Sequence, residues 1–329
     1  MKKILNYCIA EKDQGKTIET FLKSKGYSHH VIVHLRQTTG GITVNGKPVY
    51  TTHVLSEGEL LMISLIEENT SEHIVPVSLP LSIVYEDEDL MVINKAAKMP
   101  IHPSQGNFDN TLANGVAYYF KEKKEPFVYR AVNRLDRDTT GLLIIAKHML
   151  SAAILSSMVA KKEVCREYLA ITEGKADLNG IICQPIARAD GSTIERCVDP
   201  VHGEYACTHY RRLLYDDSKD CSLVQLTLDT GRTHQIRVHM KYIGHPLLGD
   251  FLYNPDYRYI ERQSLHSYRL RFTHPISGEA MEFTAPIPED FDFLSHELIA
   301  EQGVQNSTAQ LGSDVASQTF SKAASDLLA

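Results

Sequence analysis

Residues 131–147 read AVNRLDRDTTGLLIIAK. Arg134, Asp136, Arg137 and Asp138 crowd together just before Thr139-Thr140-Gly141, and Leu142 to Ala146 then form an unbroken apolar run. Such a run, bounded by a turn signal, predicts a central buried strand. The charged residues before it then fall in a loop at a sheet edge, where functional groups are commonly mounted. A carboxylate there can serve as metal ligand, acid or base, or nucleophile. Guanidiniums repel a cation, which argues against a metal at Asp136 and Asp138. They also oppose the raised pKa an acid needs. A nucleophile must stay ionised, which for an aspartate means keeping at or below its ordinary pKa of ~3.9. Arginine neighbours favour that state, so the pattern fits a nucleophile best.

Around this stretch the second domain is expected over residues 81–295. Ile83 to Tyr85, Met91 to Ile93, Glu167 to Thr172, Ser222 to Leu228, Tyr268 to Thr273 and Ala280 to Thr284 read as strands. Asn110 to Lys121 and Leu150 to Lys162 read as helices. Strands outnumber helices and several lie close enough to pair, which predicts an α+β fold with a mixed, mostly antiparallel sheet and flanking helices.

Residues 1–70 read as a separate small α+β unit. Thr17 can cap a helix ended by Gly26, and Asn45-Gly46 between Ile42-Thr43-Val44 and Lys47 is a hairpin signal. Residues 67–80 are polar with two prolines, and 71–80 within them read as a linker. Residues 296–329 are rich in Ser, Ala and Gln and read as a disordered tail.

The 329 residues are 43% hydrophobic and 23% charged, enough apolar content for a sizeable core. No apolar run is long enough to span a bilayer, and the start reads as no signal peptide. The six cysteines form no C-x-x-C pair, so reduced thiols in a cytoplasmic protein are expected. His234, His239 and His245 lack the glutamate and spacing of a zinc protease; no metal is expected. The net charge of -7 argues weakly against a nucleic-acid partner, but arginines and lysines cluster locally, and binding depends on where charge gathers.

Asn133-Arg134-Leu135-Asp136-Arg137-Asp138-Thr139-Thr140-Gly141-Leu142 resembles the signature H-R-L-D-x-x-T-S-G-L of the RluA family of RNA pseudouridine synthases. Asn133 stands where the family has His, and Thr140 where it has Ser. Further motifs follow in family order: LSIVYEDEDLMVINKAAKMPIHPS (81–104), CREYLAITEG (165–174), DTGRTHQIRVHMKYIGHPLLGDFLY (229–253) and LHSYRLRFTHPISGEAMEFTAPIPEDF (265–291). The segment around GGITVNGKPVYTTHVLSEGELLMISL (40–65) resembles the ribosomal-protein-S-four-like RNA-binding domain.

The resemblance implies isomerisation of uridine to pseudouridine in structured RNA, with no cofactor. Asp136 would attack the bound nucleoside, at the ribose or at the ring, and the uracil would detach, rotate and rejoin through carbon 5. Arg237 would pair with Asp136. Thr233 is expected to cap the helix carrying Arg237, with Ile236, Met240 and Ile243 buried along one face. Tyr168 would stack on the flipped base. Arg134 would contact a phosphate or fill the gap the base leaves, and Asn133, Arg232, His234 and Gln235 would touch substrate. The N-terminal unit points to a large-subunit ribosomal RNA uridine, with a tRNA uridine as alternative and a monomeric enzyme expected. The rival expectation is an inactive RNA-binding or ribosome-assembly factor on the same fold.

Overall fold

The computed structural model describes residues 1–294; the expected tail lies outside them. Two sheets organise the chain. The first is four-stranded, in the order β1 (Lys2–Cys8), β4 (Leu60–Ile66), β2 (Ile42–Val44), β3 (Lys47–Pro48), all antiparallel. Asn45 and Gly46 both have positive φ, as a two-residue hairpin demands. Helices α1 (Ile18–Ser24) and α2 (His29–Gln37) cover this sheet, and the Thr17 side chain accepts from the Thr20 amide to cap α1.

The second sheet runs β5 (Ile83–Glu86), β6 (Leu90–Lys95), β7 (Thr140–Ala146), β14 (Leu265–Thr273), β8 (Cys165–Glu173), β13 (Cys221–Leu228), β12 (Cys207–Asp216), β9 (Asn179–Cys183), with β15 (Ala280–Thr284) also on β14. Among the described residues its pairings are antiparallel except β7 with β14. The fold is therefore α+β with a mixed, mostly antiparallel sheet. A separate hairpin, β10 (Ile186–Arg188) and β11 (Arg196–Val198), stands apart from it.

The apolar run in β7 is continuous because both faces of the strand are covered. Leu142, Ile144 and Ala146 pack against α4 (Met149–Ala160) through Leu155 and Met158. Leu143 and Ile145 face α3 (Leu112–Glu122) and α5 (Gln235–Tyr242), meeting Leu112, Val116, Ile236 and Met240. Successive residues of a strand point to opposite faces, so a strand between two layers must be apolar at every position.

Helix α4 also joins the two sheets. Its Leu150 is buried in the N-terminal core with Phe21, Leu22 and Ile32. A Cβ at Gly26 would stand 2.8 Å from Ile154 Cγ1, so that glycine permits the close approach. Polar bonds reinforce the seam. Glu67 accepts from the Met149 amide and from Arg130, each at 2.6 Å, and Lys3 pairs with Asp89 at 2.7 Å.

The cysteine expectation is corrected. Cys183 and Cys207 are joined as a disulfide. The β9–β12 register sets them directly opposite each other, and their separation of 24 residues carries no sign of it. Cys8, Cys165, Cys197 and Cys221 are free.

Candidate active site

The loop before β7 is fastened by its backbone. Lys95, fully buried, donates to the carbonyls of Ala96, Met99 and Arg137 at 2.7, 2.9 and 2.9 Å. Arg262 donates to the Asp138 carbonyl at 3.1 Å, and Gln263 to the Thr139 hydroxyl at 2.9 Å. Gly141, with φ +105, lies so close to β14 that a Cβ would stand 2.2 Å from the Ser267 carbonyl oxygen. Only glycine combines that φ with that proximity.

The clustered charges then separate into distinct tasks. Arg137 pairs with the neighbouring, buried Asp138 at 2.9 Å. Arg134 is exposed. Asp136 turns toward α5, where its Oδ2 accepts from Arg237 Nη1 at 2.8 Å. Arg237 is almost wholly buried, and its Nε and Nη2 donate to the two oxygens of Asp250, both at 2.7 Å. Burial opposes its charge. The hydrogen bonds and attraction of Asp250 and Asp136 outweigh burial and raise its pKa further. The guanidinium also lies over the Tyr253 and Phe251 rings, 5.0 and 5.6 Å from their centroids, so its direction is fixed on every side.

Helix α5 begins differently from expectation. Thr233 does not cap it. His234 is the N-cap, in the left-handed region at φ 57, with no side-chain cap bond. Its ring is used elsewhere: Nδ1 is 2.9 Å from the Tyr253 hydroxyl, and Nε2 is 3.9 Å from Asp136 Oδ2. That hydroxyl already accepts from the Arg196 amide at 2.8 Å and so can donate to Nδ1, which sets the ring proton on Nε2, facing Asp136. Burial lowers the His234 pKa, with Asp136 pulling the other way. Ile236 and Met240 are buried as expected, and Ile243 packs against the same core.

A cavity of about 580 Å³ opens at this point, and all eight residues singled out from the sequence line it. That volume suits a small organic ligand. Tyr168, from β8, is buried in its wall. Burial raises its pKa, opposed by Arg166 and a Ser267 hydrogen bond, so the phenol is protonated at neutral pH. Arg232 pairs with Glu204 and donates to the Tyr205 carbonyl at 3.1 Å. Gln235 is inward and fully engaged: its oxygen accepts from Thr230 and the Arg232 amide, and its nitrogen donates to Cys207 and Thr208. Asn133 is likewise buried, accepting from the Ile144 amide at 2.9 Å, while its Nδ2 has no partner among the described residues.

Sequence reasoning missed Asp250 and Lys95, although both stand inside quoted motifs. The separations, 13 residues from Asp250 to Arg237 and 42 from Lys95 to Arg137, are set by tertiary folding. The histidines end apart: His239 bonds Thr208 and the Gln184 carbonyl, and His245 the Glu173 carbonyl.

The sequence profile of a family described as RNA pseudouridylate synthase matches residues 89–242. The chain is 40% identical to the "Uncharacterized RNA pseudouridine synthase YjbO" of Bacillus subtilis over 279 residues, 84% of this chain and 98% of that one. It is 38% identical to the ribosomal large subunit pseudouridine synthase D of Pasteurella multocida, covering 79% and 84% of the two chains. Among solved structures, human RNA Pseudouridylate Synthase Domain Containing 1 is similar with TM-score 0.52 and 28% identity, over 67% of this chain and 95% of that one.

Proposed function

The chain belongs to the RNA pseudouridine synthases, isomerases that convert uridine in RNA to pseudouridine, and from that premise we propose that Asp136 is its nucleophile. The observation carrying this is the 2.8 Å bond from Arg237 to Asp136 in the wall of a cavity sized for a nucleoside. A carboxylate held by a rigid guanidinium is aimed as well as charged. The base must leave its stack to reach it, which costs a few kcal/mol. Tyr168 offers a ring face for the extruded uracil and a protonated hydroxyl. In the isomerisation the bond from N1 to the ribose breaks and the bond from carbon 5 forms. Carbon 5 gives up its proton and N1 gains one, so no oxidant or reductant is consumed.

We take the substrate to be large-subunit ribosomal RNA, after the name of the Pasteurella relative, a ribosomal large subunit pseudouridine synthase. Residues 1–70 are assigned as an S-four-like RNA-binding domain that presents it, 71–80 as a linker and 81–295 as the catalytic domain. The enzyme is assigned as a monomer acting in the cytoplasm. Among the described residues no helix is long and apolar enough to cross a membrane. The test is to map pseudouridine in ribosomal RNA and tRNA from cells with and without the protein. A uridine in large-subunit RNA that loses its mark supports the assignment; a loss confined to tRNA overturns the choice of substrate.

A further inference from the structure

A second cleft, of about 380 Å³, adjoins the catalytic cavity and shares Arg134, Gly231 and Arg232 with it. Its outer wall is the β10–β11 hairpin. Register pairs Arg188 of β10 directly with Arg196 of β11, and both line the cleft. Four arginines thus line it, Arg134, Arg188, Arg196 and Arg232, against one acidic residue, Glu204. Glu204 is taken by Arg232. Among the described residues Arg134, Arg188 and Arg196 have no carboxylate partner.

Such an arrangement is unfavourable by itself. Like charges directly opposite on paired strands destabilise the pairing, and strands this short have little to offset it. The chain as a whole carries a charge of -7, so a concentration of cations in one cleft is a local feature that attracts an anion there. Guanidiniums match phosphate oxygens in geometry and charge. Arg196 also lies near enough to His234 to lower its pKa, which ties the cleft electrostatically to the catalytic cavity.

We propose that this cleft is a phosphate subsite in which Arg188 and Arg196 clamp a backbone phosphodiester of the RNA strand flanking the uridine, with Arg134 at the junction between subsite and cavity. The proposal rests on the neighbouring cavity being the uridine site. Once that uridine is inserted, the adjoining backbone leaves across Arg134 and passes over the hairpin. The residues here touch no reacting atom; they set affinity and register.

The test compares wild type with Arg188→Gln/Arg196→Gln and Arg188→Lys/Arg196→Lys on a short RNA around the mapped target uridine, with single linkages replaced by neutral methylphosphonates. The glutamine pair should raise KM about 10-fold and leave kcat nearly unchanged, and the slope of log affinity against log salt should shrink by roughly 0.7–0.9 for each phosphate no longer neutralised. The lysine pair, keeping the charge, should retain most of that slope. One or two methylphosphonates should raise KM for wild type and have no further effect on the glutamine pair. An active wild type whose KM is indifferent to the glutamine pair, or whose methylphosphonate penalties persist in it, overturns the subsite alone. So does competition by inorganic phosphate that the glutamine pair relieves without any methylphosphonate effect, since the cleft would then be a small-anion site. A wild type that makes no pseudouridine in any RNA overturns the functional reading, and the subsite falls with it.

Discussion

Asp250 holds Arg237 through two parallel hydrogen bonds of 2.7 Å, inside the protein and away from solvent. This leaves a single edge of the guanidinium, Nη1, to reach Asp136. With Asp136 proposed as nucleophile, this geometry makes Asp250 a proposed positioning residue that would act through Arg237. Asp250→Asn preserves shape but removes the charge and one acceptor. Breaking a buried pair costs about 3–5 kcal/mol, so a lower urea midpoint is expected. The informative readout is kinetic: single-turnover rate should drop at least about 10-fold, equivalent to ~1.4 kcal/mol of barrier, with KM little changed. An unaltered rate in folded variant would detach the aim of Arg237 from catalysis.

Lys95 sets a pH dependence. Burial pushes its ammonium down to about 7, while Asp138 and Asp136 pull it up. Below pH 7 folded and unfolded chains both carry the proton, and the burial penalty is fully present. Between about 7 and the unfolded value of 10.5, the unfolded chain holds a proton the folded chain has shed, so stability from this group rises with pH. The stability of wild type minus that of Lys95→Met should increase across that window by up to about 1.4 kcal/mol per pH unit. Denaturation curves at several pH values measure it, and a flat or falling difference would refute the assignment.

Asn133 occupies the position where the family signature has histidine, and its oxygen accepts from the Ile144 amide in β7. What the site requires is an acceptor. Asn133→His supplies one through a ring nitrogen and should keep the rate. Asn133→Leu strands a buried amide and should cost about 1–3 kcal/mol of stability. Loss of stability with histidine but not with leucine would contradict this role.

Tyr168 has two separable features, a ring face and a phenol kept protonated by burial. Tyr168→Leu removes both and should weaken RNA binding by about 1–3 kcal/mol, the range for one base–aromatic stack. Tyr168→Phe keeps the face. It should leave KM in place and lower kcat by about 100-fold, the lower end of acid–base contributions. An undiminished kcat in Tyr168→Phe would leave stacking as its only task.

The central strand was legible because its burial on both faces forces an apolar run, and burial is written directly in residue type. The motif residues were legible as a set, and folding brings all eight to one cavity. Orientation within the set was not. Gln235 and Asn133 turn their polar atoms into the protein, and only the register of loops against β7 and β12 decides that. Thr233 has the chemistry of a helix cap, yet His234 takes the position, and its ring bonds the Tyr253 hydroxyl rather than the helix amides. The disulfide and the Arg188–Arg196 pair depend on cross-strand partners that adjacent sequence does not name. Neither β9 nor β12 has an alternation that announces its partner.

The most direct measurement incubates purified wild type and Asp136→Asn with deproteinised large-subunit ribosomal RNA, then maps pseudouridine by a chemical stop at each modified base. The prediction is marks at defined uridines from wild type and none from Asp136→Asn, with both proteins equally folded and bound to RNA. Marks made by Asp136→Asn at the wild-type rate would contradict Asp136 as nucleophile.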